Sequence, residues 1–98
     1  MDVAKQIEDA KQSDALILIV FYTDWSPHYE WIEPVLHEFE KPVSVVRVNI
    51  EGDKKVADAY EIDIAPSFVL QRQDRILWEK TGEVFPGELK DVIEMFKN

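Results

Sequence analysis

Cysteine is absent from all 98 residues, which excludes disulfides, thiolate nucleophiles and every metal site built on sulfur. Glycine and proline are scarce, at 3 and 5, so there is little room for linkers or low-complexity tracts, and no internal repeat is present. Positive charge is also short: 11 basic residues, scattered one or two at a time, face 20 acidic ones. The resulting charge of -9 repels phosphate backbones and anionic lipid surfaces, so neither nucleic acid nor a membrane is expected as a partner. No apolar run reaches the ~20 residues of a membrane-spanning helix, and "MDVAKQIEDAKQSD" is too charged for a secretion signal. The expectation is a cytoplasmic protein. What the chain does hold is 46% apolar residues, 11% of the total being aromatic, enough for one packed domain over residues 1–98.

Val3, Ile7 and Ala10 recur at helical spacing and predict a short amphipathic helix over residues 2–12. "ALILIVFY", 15–22, is apolar without alternation, the pattern of a strand buried on both faces. Ser26-Pro27 then reads as a helix start, Ser as N-cap and Pro at the first helical position. Trp31, Ile32, Val35, Leu36 and Phe39 supply that helix's apolar face, and Pro34 inside it predicts a kink. A second strand is expected over 43–50 and a short helix over 53–62. Residues 67–71 and 75–80 read as strands of a hairpin, and "FPGELKDVIEMFKN" as a last helix with Leu89, Val92, Ile93 and Phe96 inward. The order α-β-α-β-α-β-β-α describes an α/β sandwich with parallel strands first and an antiparallel hairpin last.

Two constellations invite chemistry. Ser26 with His28 suggests a hydrolase, but residues two apart on a helix point to nearly opposite sides, and no G-x-S-x-G elbow is present. Glu33, His37 and Glu40 share a helical stripe that could hold a divalent cation, yet a solvated helix face has the same pattern. Neither catalytic residues nor a metal nor a cofactor is expected.

The landmarks in order resemble the thioredoxin family. Trp25 stands at the Trp of its Trp-Cys-x-x-Cys turn and Pro34 at its helix-kinking proline. "IAPS", 64–67, stands at its cis-proline loop with Pro66 the proline; "NIEGD", 49–53, and Gly82 and Gly87 match further positions. The resemblance spans residues 16–97 and implies a thioredoxin-like sandwich. This is a four-stranded mixed sheet flanked by helices, with the family's first strand missing because residues 1–14 read as helix. It also implies a cis peptide between Ala65 and Pro66. The departures concern chemistry. Ser26 and Tyr29 replace the two cysteines, and Val20 replaces the buried Asp five residues before the motif Trp. A helix start lowers a thiol's pKa, but a serine hydroxyl is too weak an acid to benefit, and no mixed disulfide can form without sulfur.

What the resemblance leaves is a surface. The family's peptide groove corresponds here to Trp25, Ser26, Pro27, His28, Tyr29, Ala65 and Pro66. The expected function is a protein- or peptide-binding or adaptor module using that groove. The alternatives are a redox or metal-dependent enzyme completed by partner-supplied groups, or an oligomerisation subunit. With no first strand beside it, strand 43–50 is expected at a sheet edge, where a second copy could pair to give a homodimer. Arg47 and the N-terminal helix are the features that could block such pairing.

Overall fold

The structure, a computed structural model, describes residues 2–25, 29–39 and 43–97. The elements run in the order α1 (Val3–Lys11), β1 (Leu16–Tyr22), α2 (Ile32–Leu36), β2 (Val43–Asn49), α3 (Lys54–Ala59), β3 (Ser67–Arg72), β4 (Arg75–Thr81) and α4 (Pro86–Phe96). The strands form one sheet in the order β2-β1-β3-β4. β1 is parallel to β2 and antiparallel to β3, and β3 is antiparallel to β4. This is the mixed four-stranded sheet the patterning predicts, with β2 at one edge and β4 at the other.

β1 takes the centre because both of its faces are apolar. Leu16, Leu18 and Val20 point into a core closed by Ile32 and Leu36 of α2 and by Leu89 and Ile93 of α4. Ile17, Ile19 and Phe21 point into the opposite core, closed by Ile7 of α1 and Ala57 of α3. Full burial of such a side chain contributes about 1.5–3 kcal/mol, so these six alone supply roughly 9–18 kcal/mol before entropy is counted. No comparable run exists elsewhere in the chain.

The start of α2 departs from expectation. Ser26-Pro27 lies outside the described residues, but no helix runs on from it, because Tyr29 has φ 55 and the first helical residue is Ile32. Left-handed backbone costs about 1–2 kcal/mol, which burial of the Tyr29 ring offsets: the side chain is only 6% exposed. The late start also changes the meaning of Pro34. As the third residue of α2 it lies in the first turn, where a backbone N–H has no partner within the helix, so the predicted loss of a helical hydrogen bond does not arise.

Backbone register decides what β2 and the hairpin expose. Ile50 N–H donates to the Tyr22 carbonyl (2.9 Å), so the backbone groups of Ser44, Val46 and Val48 face β1 while those of Val43 and Val45 turn outward. In the hairpin, a register shift at Leu70/Gln71 sets Trp78 opposite Leu70 but Ile76 opposite Gln71. Leu77 and Trp78 both pack towards the α2/α4 core in consequence, and Ile76 and Glu79 fall on the α1/α3 side with Gln71 and Val69.

Candidate functional site

Strand directions gather three loops at one end of the sheet. Phe21 at the end of β1 pairs with Ser67 at the start of β3, and Ser67 pairs with Thr81 at the end of β4. The loop carrying Trp25, the loop 61–66 and the loop opening on Gly82 therefore leave the sheet side by side.

Hydrogen bonds brace these loops. Asp24 Oδ1 accepts from Asn49 Nδ2 (3.0 Å), while Asn49 Oδ1 accepts the N–H groups of Glu51 (2.9 Å) and Gly52 (3.1 Å). Asp53 closes that turn, its carboxylate accepting Asn49 N–H (3.1 Å) and its own N–H donating to the Asn49 carbonyl (2.7 Å). The Ala65–Pro66 peptide bond is cis. The Pro66 carbonyl accepts Gly82 N–H (2.8 Å), and the Ser67 hydroxyl donates to the Ile64 carbonyl. Gly82 has φ 101, where a side chain would be strained.

Tyr29 joins the third loop from below. Its hydroxyl donates to Glu83 Oε1 (3.1 Å), and its ring lies edge-on to Phe68 (5.5 Å between centroids) and to Trp31 (6.3 Å). Burial, then the hydrogen bond to Glu83 and its charge, push the Tyr29 hydroxyl up to about 12. It stays protonated at neutral pH, a donor and not a base.

Trp25, by contrast, is 90% exposed. Ile64, immediately before Ala65–Pro66, and Phe85, two residues after Glu83, are exposed as well. Three bare apolar side chains thus sit on the three loops. Of the residues expected in the groove, Trp25 is open to solvent, Ala65 and Pro66 are half-buried, and Tyr29 is a core residue. Ser26, Pro27 and His28 lie outside the described residues. Val20, 1% exposed, shares the Tyr29 and Phe68 core, so the position of the family's buried acid is apolar. Asn49, Glu83, Ile64 and Phe85 escape the sequence reading. Asn49 lies inside "NIEGD", Ile64 inside "IAPS" and Phe85 at the head of "FPGELKDVIEMFKN", but none is singled out there, and Glu83 leaves no trace. The Glu33, His37, Glu40 stripe holds no metal geometry among the described residues. Glu33 pairs with Arg47 (3.6 Å), and Glu40 lies outside them.

The family model for Thioredoxin matches residues 3–95. The chain belongs to the thioredoxin family. It is similar to the H-type thioredoxin of Fagopyrum esculentum, at 30% identity over 82% of this chain and 75% of that one. The thioredoxin of Buchnera aphidicola subsp. Acyrthosiphon pisum shares 29% identity over 89% and 84%. Among solved structures, a variant thioredoxin from Halobacterium salinarum superposes with a TM-score of 0.77 at 24% identity, covering 94% of this chain and 83% of that one, a likeness of fold. This thioredoxin-family chain has no cysteine, so it carries no dithiol chemistry of its own.

Proposed function

We propose that this protein is a non-catalytic thioredoxin-family module that binds an extended segment of a partner protein across the face formed by Trp25, Ala65–Pro66 and the Gly82–Glu83 loop. The observation that carries the reading is Trp25, a large aromatic left 90% exposed on a loop braced by hydrogen bonds. Aromatic residues of this kind are the usual anchors of interfaces, and a rigid backbone lowers the entropy cost of binding. We propose a cytoplasmic location with it; a domain without cysteine is compatible with the reducing pool there.

The test is capture from native lysate with wild type beside a Trp25→Ala variant, followed by Trp25 fluorescence with each captured protein. Trp25→Ala is expected to lose the capture while its stability moves by no more than about 0.5 kcal/mol, as for other exposed sites. Identical capture by both proteins overturns the reading.

A second reading concerns self-association and rests on β2. Val43 and Val45 turn backbone groups outward at the sheet edge, and two copies could pair antiparallel there to form a homodimer. Proline at position 45 removes one of the outward donors such pairing would use, and sedimentation reads the result.

A further inference from the structure

The α1/α3 side of the sheet is covered unevenly. α1 packs on β1 and β2 and α3 on β2, which leaves the hairpin's share of that side open. A cavity of about 750 Å³ lies there, and its lining includes neither Trp25 nor Pro66.

One stretch of its wall is apolar. Ile62 and the Tyr60 ring come from the end of α3, and Ile76, 49% exposed, is turned into the cavity side by the hairpin's register shift. Its polar floor is already satisfied. The Tyr60 hydroxyl donates to Gln71 Oε1 (2.6 Å) and Gln71 Nε2 donates to the Gln73 carbonyl (2.7 Å), so these two side chains are engaged with the protein itself. The amines on the lining are committed too. Lys11 Nζ bridges Asp74 (2.8 Å) and Glu8 (3.3 Å), and Lys80 Nζ reaches to the other side of the sheet to meet Glu88 of α4 (2.7 Å). Glu61 and Glu79, in contrast, have no cationic partner among the described residues.

An apolar stretch beside two carboxylates without a cationic partner suits a group that is aliphatic along its length and positive at its end. We infer that this cavity is a second binding site, for an extended basic-amphipathic segment of a protein. Lys or Arg stems lie along Ile62, Ile76 and the Tyr60 ring, with their charged ends at Glu61 and Glu79. The volume is that of a site holding several side chains, and the charge of the chain as a whole favours the same partner. The inference is independent of the groove at Trp25.

The experiment is an amide chemical-shift titration of the ¹⁵N-labelled protein with a capped hexapeptide of alternating Lys and Leu. A Glu/Leu counterpart and spermine serve as comparisons. Shifts are expected at Tyr60, Ile62, Gln71, Ile76 and Glu79, with the Trp25 indole signal unmoved. Glu61→Gln with Glu79→Gln should weaken binding about fivefold or more, given what two exposed charge pairs contribute. Ile76→Ser should weaken it as well, and the dispersion of each variant's own spectrum reports its fold. Four results overturn the proposal: no binding at millimolar peptide, equal binding of the acidic peptide or of spermine, shifts centred on Trp25, or unchanged affinity in both variants.

Discussion

Tyr29 stands where the family has its second cysteine, and it has become part of the core. Its ring packs between Phe68 and Trp31 and its hydroxyl reaches Glu83. Restoring the motif with Ser26→Cys and Tyr29→Cys should therefore cost about 3 kcal/mol of stability, the range for emptying an aromatic core site, as read by urea denaturation. Turnover of insulin with dithiothreitol should be absent in the wild type and poor in the double variant, because Val20 supplies no acid or base. A second expectation concerns alkaline pH. The Tyr29 hydroxyl titrates near 12 in the folded protein, above the ~10 of an unfolded tyrosine. Its stabilising effect is complete below about pH 10 and is lost as pH rises towards 12. Absorbance titration should show late tyrosinate ionisation that Tyr29→Phe reduces but does not abolish, because burial raises the Tyr60 hydroxyl as well. A titration with no late step would contradict the burial of the Tyr29 ring.

At the scale of elements, β2 offers a discriminating pair of substitutions. Val45 turns its N–H away from β1, so Val45→Pro should keep the fold and abolish a dimer in sedimentation. Val46 is 2% exposed and turns its N–H towards β1, so Val46→Pro should destabilise the fold by about 2 kcal/mol or more. A dimer that survives Val45→Pro would end the edge-pairing reading. The contrast also marks what a sequence shows. β1, β2 and β3 were legible because apolar composition over six or seven residues sets their burial, and β4, which buries no residue, because a short turn follows β3. α1 and α4 were legible because periodicity and caps are local. The start of α2 was not, since the left-handed turn at Tyr29 is held by Glu83, 54 residues away, and by packing on Phe68. The hairpin's register shift was hidden for a similar reason: in "RILWEK" the departure from alternation becomes visible only once the pairing with Leu70 and Gln71 is known. Of the candidate site, the sequence revealed the Trp25 and Pro66 loops, but not the bracing that joins them.

At the scale of the whole molecule, charge opposes self-association. Two copies at -9 each repel, and the repulsion is screened over ~10 Å at 0.1 M salt. The dimer population should therefore rise between about 0.02 and about 0.3 M salt, whereas a basic peptide in the α1/α3 cavity should bind more weakly over the same range. A dimer population that falls with salt would mean that contacts other than the valine edge hold the copies together. The central place of β1 has a different kind of consequence, during synthesis. Its antiparallel neighbour β3 begins 45 residues after β1 ends, at Ser67 against Tyr22. At roughly 5–20 residues per second, "LILIVFY" leaves the ribosome some 2–9 seconds before that neighbour emerges in its turn. During that interval the most apolar segment of the chain has at best one flanking strand, and it presents the pattern that hydrophobic-binding chaperones hold. Nascent chains arrested before residue 67 should bind such a chaperone and aggregate in its absence, while chains arrested well beyond residue 81 should do neither.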